Sequence, residues 1–250
     1  MKRFINPTPE TWRILTQRGS TSYASLEPLA KKVFDNVAQS GDKALVSFTE
    51  KFDKVKLEDF SVSKNEIEDA IARVPQNLKN AVQKAKENIF RFHSAQKTNQ
   101  VSVETQKGVN CWQKKLPIEK VGLYIPGGTA PLFSTILMLA IPAQIAGCEE
   151  VVLCSPPSSN GHLPDVILYT ADLCGVNNIF KVGGMQAIAG MTLGTETLPK
   201  VDKLFGPGNQ YVTVAKQLAT QYRVAIDMPA GPSELMIVAD NSANAPFVAS

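Results

Sequence analysis

Three observations predict an α/β protein, with a parallel-sheet domain that follows a helix-rich N-terminal region. Apolar residues recur at helical spacing through most of the first 100 of the 250 residues. After Pro117, short apolar runs alternate with longer helical patterns, which is typical of β-α units in a parallel sheet. Glycines stand within two residues of the end of three of these runs. We therefore place a boundary near Ile118, between a first region of residues 1–118 and a sheet domain that starts at residue 119.

Amphipathic patterns predict three helices in the first region. The first covers residues 22–41 and is expected to stop at Gly41, because glycine is a common helix terminator. The second begins at Ser63, which stands three residues before Glu66, the spacing of a capping box. The third covers residues 76–96. Their apolar stripes indicate core contacts and carry no chemistry.

The end of the first region predicts a β-hairpin. Two extended stretches, residues 101–105 and 109–116, flank a turn at Gly108. His93, at the edge of the third helical stripe, is a candidate for catalysis, but a histidine packed at the edge of a core is the favoured interpretation.

Six apolar runs predict strands in the rest of the chain. They lie at residues 121–125, 151–154, 178–182, 202–205, 223–227 and 235–239. Helical patterns between them cover residues 131–147, 163–174, 185–193 and 208–221.

Three glycine turns, "YIPGG", "KVGG" and "LFGPG", stand where a predicted strand ends and a helix begins. In an open parallel sheet such strand ends gather along one edge, where ligands bind. One glycine turn alone is explained about as well by a plain tight turn, but three together favour a shared pocket for a phosphate-bearing ligand. The dinucleotide fingerprint G-x-G-x-x-G is absent, since Tyr211 stands where its third glycine belongs. The residues thus indicate a phosphate- or nucleotide-binding domain.

Polar residues beside these turns are candidate ligand contacts. Gln186 and Asn209 carry amides that suit a ribose or a carboxamide, although helix capping is a natural alternative for Asn209. Tyr124 could stack on a ligand or contact its ribose, or could pack in the core. Cys154 ends a strand and could be a nucleophile, but an inert buried thiol is the better interpretation. Turn chemistry alone explains most of the residue types around Asp227.

Composition and charge exclude several classes of protein. Hydrophobic residues make up 44% and charged residues 20%, which is typical of a globular chain. The net charge of +3 is spread along the chain, so no nucleic-acid partner is expected. No apolar stretch is long enough to cross a membrane, and the N-terminus lacks a secretory signal, so we expect a cytoplasmic protein. Four scattered cysteines and only two histidines give no zinc-knuckle pattern.

Long stretches closely resemble histidinol dehydrogenase. They are "VGLYIPGGTAPLFSTILMLAIPAQIAGCEEVVLCSPP", "KVGGMQAIAGMTLGTETLPKVDKLFGPGNQYV" and "IDMPAGPSELMIVAD". Shorter ones, "SFTEKFDK" and "FHSAQK", extend the resemblance to the first region.

The resemblance implies an NAD-dependent, zinc-containing homodimer of histidine biosynthesis. Such an enzyme oxidises L-histidinol through L-histidinal to L-histidine and passes two hydrides to two NAD molecules in turn. It also implies that residues 119–233 form an incomplete Rossmann-like NAD-binding domain, and that residues 234–250 begin a return to the first domain.

The resemblance also assigns roles to residues of this chain. Tyr124, Gln186 and Asn209 match the family's NAD contacts, and Ser233 matches a substrate-contacting serine. We expect the NAD phosphates to lie near three glycines, Gly127, Gly128 and Gly208.

The family's zinc ligands and its glutamate–histidine acid–base pair match positions beyond residue 250. His93 and His162 match none of them, so no catalytic residue and no metal ligand is assigned here. We therefore expect the N-terminal part of the enzyme, inactive by itself. A non-catalytic nucleotide-binding module is the alternative.

Overall fold

The computed structural model describes residues 3–16, 24–57, 59–128, 130–229 and 235–249. It confirms the predicted α/β fold, since helices surround a five-stranded parallel sheet. No helix in these ranges is long and apolar enough to cross a membrane.

Four helices precede the first strand. They are α1 (Pro9–Leu15), α2 (Glu27–Asp53), α3 (Lys64–Arg73) and α4 (Gln76–Ala95). The predicted capping box opens α3: the Ser63 hydroxyl accepts from the Glu66 backbone N–H, and the Glu66 carboxylate accepts from the Ser63 N–H.

The predicted end of a helix at Gly41 is only half right. Gly41 leaves the helical conformation with φ 51° and ψ −128°, but α2 resumes at once and runs to Asp53. The restart is capped from outside the helix, because the Glu196 carboxylate accepts from the Asp42 N–H at 2.8 Å. The Asp42 carboxylate in turn accepts from Thr197. The loop that carries Glu196 and Thr197 therefore lets the helix continue beyond Gly41, which becomes a kink and not the end of α2.

The predicted hairpin forms. Strands β1 (Ser102–Gln106) and β2 (Val109–Trp112) pair antiparallel across a turn in which Gly108 has φ 81°.

Strands and helices alternate through the sheet domain. In chain order they are β3 (Lys120–Tyr124), α5 (Phe133–Ala146), β4 (Glu150–Cys154), α6 (Asp165–Leu173), β5 (Asn178–Phe180), α7 (Gly184–Leu193), β6 (Lys203–Phe205), α8 (Gln210–Ala219) and β7 (Ala225–Ile226). The four predicted helices and five of the six predicted strands are therefore present. A 3-10 turn, Thr220–Tyr222, follows α8, and a short helix α9 (Ala245–Ala249) lies near the C-terminus.

The sixth predicted strand does not form. Residues 235–239 have neither helical nor strand structure, and Leu235, Met236 and Val238 are at least 85% exposed. An apolar run alone does not make a strand, because a strand must also pair with a neighbour, and residues 235–239 pair with no strand of the described sheet.

The strand order is β5-β4-β3-β6-β7, with all strands parallel. This is the Rossmann order without its sixth strand, which agrees with the incomplete Rossmann-like fold that the resemblance implies. The order reverses between β3 and β6, and ligands of such sheets bind in the crevice at that switch point.

Helices cover both faces of the sheet in two layers. On one face, α7 and α8 pack on side chains such as Tyr124 and Leu204, and α2 packs outside them. On the other face, α5 and α6 pack on side chains such as Leu123 and Leu153, and α3 and α4 lie outside. The first region thus packs onto the sheet domain from both sides. The domain bounds at residues 118 and 233 stay predictions.

Candidate functional site

A cleft of about 1170 Å³ lies at the carboxyl ends of the strands, beside the switch point. All three glycine turns line it, through Gly127 and Gly128 after β3, Gly184 after β5 and Gly208 after β6. Turns that are far apart in sequence therefore meet at one place, because parallel strands end on the same edge.

The glycines of this cleft are not equivalent. A β-carbon on Gly127 would lie 2.6 Å from Cγ of Pro156, and one on Gly208 would collide with the Val212 side chain. A β-carbon on Gly128 would meet no described atom within 4 Å. Gly127 and Gly208 therefore serve close packing, whereas Gly128 leaves the cleft itself open.

The turn after β6 is clamped to the core. Gly206 has φ 141°, and a β-carbon there would collide with the Tyr124 carbonyl oxygen, so only glycine fits. Its N–H donates to the Asp227 carboxylate at 2.9 Å, and its carbonyl accepts from Nζ of the buried Lys216 at 2.8 Å. Lys216 and Asp227 also form an ion pair. Lys216 and Asp227 thus support the turn after β6, and with it the cleft, from behind.

Tyr124 lines the cleft and is also part of the core, so core packing is confirmed and contact with a ligand stays a prediction. Its side chain is 4% exposed, and its phenol oxygen accepts a hydrogen bond from the Gly184 N–H. Burial raises the pKa of the phenol to about 12, partly offset by the Gly184 hydrogen bond. Tyr124 is therefore a neutral hydroxyl that holds two of the glycine turns together.

Gln186 is buried at the start of α7 and contacts the first region. Its Nε2 donates to Oδ2 of Asp53 at 3.2 Å, and its Oε1 has no hydrogen-bond partner among the described residues. Asp53 is the last residue of α2 and also lines the cleft. Burial raises the pKa of Asp53 to about 6.

Asn209 lines the cleft as the N-cap of α8. Its Oδ1 accepts from the backbone N–H groups of Tyr211 and Val212 at 3.0 and 3.2 Å. The capping role considered for this residue is thus present, and it fixes the side chain at the mouth of the cleft.

The remaining candidates lie elsewhere. Cys154 is fully buried, and burial raises the pKa of its thiol, which disfavours the nucleophilic thiolate. His93 is half-buried near the end of α4, and its ring contacts the Gln96 side chain. The predicted substrate contact Ser233 lies outside the described residues.

A second cluster lies next to the cleft, under the loop after β4. The buried Lys181 pairs with Glu66 at 3.1 Å, and His162 lies 3.3 Å from the same carboxylate. Burial acts to raise the pKa of Glu66, but hydrogen bonds from the Ser63 N–H, Lys181 and His162 outweigh it and lower the pKa. The cluster joins α3, β5 and the loop, and so helps to place the cleft wall.

Within the described ranges, no group of three or more histidine, cysteine, aspartate or glutamate side chains could hold a metal ion. The Nδ1 atoms of His93 and His162 contact the side chains of Gln96 and Glu66.

Sequence reasoning missed Asp53 and the prolines after β4. Asp53 follows Thr49 by four residues on the buried face of α2, and a carboxylate at such a position is a signal of a functional contact. Pro156 and Pro157 line the cleft, and Pro156 packs against Gly127 and Gly183.

The cleft is chemically suited to a neutral or phosphate-bearing ligand. Asp53 is the one charged residue among its described lining residues, and no lysine or arginine joins it. A phosphate would therefore rely on backbone N–H groups near the starts of α7 and α8 that are not already bonded to Tyr124 or Asn209.

Comparisons with known proteins agree on one family. A family model described as histidinol dehydrogenase matches residues 16–250. The histidinol dehydrogenase of Bacteroides thetaiotaomicron is 54% identical over 249 residues, which cover 100% of this chain and 58% of the relative. That of a Bacteroides fragilis strain is 53% identical, with the same coverage of 100% and 58%. The crystal structure of histidinol dehydrogenase from Elizabethkingia anophelis gives a TM-score of 0.91 at 54% identity, and the match covers 98% of this chain and 57% of that one. The chain thus spans a little over half the length of these relatives.

Proposed function

Because the chain belongs to the histidinol dehydrogenase family, we propose that its cleft binds NAD for the oxidation of L-histidinol. The complete enzyme would convert L-histidinol through L-histidinal to L-histidine, at the end of histidine biosynthesis. The observation that carries this proposal is the convergence of the three glycine turns on one cleft at the switch point. Family membership further supports a homodimer that works in the cytoplasm.

The residues of the cleft fit a dinucleotide. Its volume of about 1170 Å³ exceeds that of a typical drug-sized pocket. Backbone N–H groups at the starts of α7 and α8 that are not already bonded to Tyr124 or Asn209 would hold the phosphates, with Gly128 leaving the space for them. The Oε1 of Gln186, which has no hydrogen-bond partner among the described residues, would accept from a ribose hydroxyl or a carboxamide. NAD supplies the hydride acceptor when it is bound.

The cleft also favours NAD over NADP. The 2′-phosphate of NADP usually needs a nearby arginine, and the described lining residues include none. Its one charged residue, Asp53, would repel an additional phosphate.

Zinc does not fit the described residues. A zinc site takes three or more ligands, often with imidazole among them, whereas His93 and His162 lie in separate clusters. No catalytic step through a metal is therefore derived for these residues. A nucleotide-binding module without chemistry of its own stays the second candidate.

Titration calorimetry with NAD and NADP tests the proposal, together with NADH formation from L-histidinol and zinc. We expect NAD to bind, NADP to bind more weakly, and the 250-residue chain to form no NADH and hold no stoichiometric zinc. A chain that does not bind NAD would contradict the proposed function. If the 250-residue chain formed NADH or bound zinc tightly, its own residues would have to supply the proton-transfer groups or the zinc ligands, which contradicts the proposal.

A further inference from the structure

Asp53 reaches the cleft from outside the sheet domain. It ends α2, whose buried face carries Leu45, Phe48 and Thr49 toward α7. Its carboxylate is half-buried and lines the cleft. A carboxylate is costly to bury without a positive partner, and none of the described ion pairs includes Asp53. Helix packing alone gives no reason for a charge at this position.

The contact of Asp53 with Gln186 sets the orientation of the Gln186 carboxamide. A carboxylate can only accept hydrogen bonds, so the NH₂ group of the amide must face it, as the distance of 3.2 Å between Nε2 and Oδ2 indicates. The amide oxygen then points the other way, and it lies 2.8 Å from the position that a β-carbon on Gly184 would take.

The oxygen that results is a buried acceptor without a donor. Gln186 is 1% exposed, and its Oε1 has no partner among the described residues. Buried polar atoms are almost always hydrogen-bonded, so an exception beside a ligand cleft points to a donor on the ligand. Hydroxyl groups of ribose and the NH₂ group of a carboxamide are such donors.

We propose that Asp53 is a positioning residue for the cofactor, because it holds the Gln186 carboxamide with its oxygen beside the Gly184 turn, where a donor of the bound cofactor reaches it. The inference rests on the proposed function, since it requires that NAD binds in this cleft.

The proposal predicts that cofactor binding depends on pH. Among the described residues, the polar groups that face Asp53 are Gln186 from α7 and the neutral phenol of Tyr124 from β3. At the end of its own helix, Lys54 donates to the Lys51 carbonyl instead. Burial raises the pKa of Asp53 to about 6. Below that pH the Asp53 carboxyl is protonated, so it can donate a hydrogen bond as well as accept one. The Gln186 carboxamide can then face it with either its NH₂ group or its oxygen. NAD affinity should therefore fall as Asp53 is protonated.

Calorimetry with NAD at about pH 7.5 and about pH 5.5 tests this on the wild-type chain, Asp53→Asn, Gln186→Leu and the double variant. Asp35→Asn, an exposed position on the same helix, is the matched control. We expect Asp53→Asn and Gln186→Leu each to weaken binding about fivefold or more at the higher pH. The double variant should be no weaker than Gln186→Leu, because Asp53 acts through Gln186. The wild type and the control should lose affinity at the lower pH, and Asp53→Asn should not.

Thermal unfolding separates this role from a structural one. Asp53→Asn removes a half-buried charge, so its melting temperature at about pH 7.5 should be unchanged or higher while NAD affinity falls. The inference is overturned if Asp53→Asn binds NAD as the wild type does, if the effects of the two single variants add, or if wild-type affinity is constant across the two pH values. The pH dependence of NAD binding by the wild type tests the inference even if a variant does not fold. A wild type that does not bind NAD overturns the proposed function as well, and so the two failures are distinguishable.

Discussion

The backbone N–H of Gly184 donates a hydrogen bond of 3.1 Å to the phenol oxygen of Tyr124. Tyr124 ends β3, whereas Gly184 begins α7 after β5, and β4 lies between these two strands. The bond therefore ties the first glycine turn to the second across the middle of the sheet edge.

We predict that Tyr124→Phe loosens the cleft. The Gly184 N–H would lose its acceptor, so the free energy of unfolding should fall by about 1 kcal/mol and NAD should bind more weakly. Urea denaturation and calorimetry measure the two effects. Tyr222→Phe is the control, because the Tyr222 ring packs on Phe34 and its hydroxyl has no hydrogen bond to a described residue. Equal effects of the two variants would contradict the role of the phenol oxygen.

Gly128→Val should separate binding from folding. The new side chain would enter space that is open among the described residues, so stability should change by less than about 0.5 kcal/mol while NAD affinity falls more than about tenfold. Gly127→Val is the comparison. Its β-carbon would collide with Pro156, so the free energy of unfolding should fall by about 1–3 kcal/mol. If calorimetry gives unchanged NAD affinity in a folded Gly128→Val protein, the glycine argument is wrong.

Cys154 is expected to serve packing only. Its thiol is fully buried, so Cys154→Ala should lower the free energy of unfolding by about 1 kcal/mol and leave NAD affinity unchanged. Cys111→Ala is the matched control, because Cys111 is exposed and its loss should change little. Alkylation of the native chain should modify Cys111 and spare Cys154. Rapid modification of Cys154 would contradict an inert thiol.

Glu66→Gln should destabilise the fold, because the buried Lys181 ammonium loses its carboxylate partner. Glutamine keeps the capping geometry of α3, but Lys181 loses its carboxylate partner, so stability should fall by about 2 kcal/mol. Glu68→Gln removes only an exposed pair with Lys64 and should cost less than about 0.5 kcal/mol.

The same variant predicts a change in the response to acid. The pKa of Glu66 is lowered in the folded chain, so its contribution to stability is present above its ordinary value of 4.5 and is lost as the pH falls through the folded value. Denaturation curves across that window should therefore be flatter for Glu66→Gln than for the wild type. Parallel curves would show that the pair does not contribute.

Local patterns predicted most elements because their causes are local. The capping box at Ser63 needs only residues 63–66, and both of its hydrogen bonds are present. The hairpin at Gly108 needs a residue that tolerates positive φ between two extended stretches. The apolar run at 235–239 failed as a strand because a strand also needs a paired neighbour, which the run itself does not specify.

By itself, the sequence determined the order of helices and strands from α2 to β7 and placed the three glycine turns at strand ends, which is enough to indicate a binding edge. The tertiary structure alone decided which distant groups complete that edge. Glu196 lets α2 continue past Gly41, and this continuation brings Asp53 to Gln186 in the cleft. Spacing along the chain encodes helix and strand periods, because these depend on neighbouring residues. A hydrogen bond between residues 133 positions apart depends on how whole layers pack, and no local pattern records it.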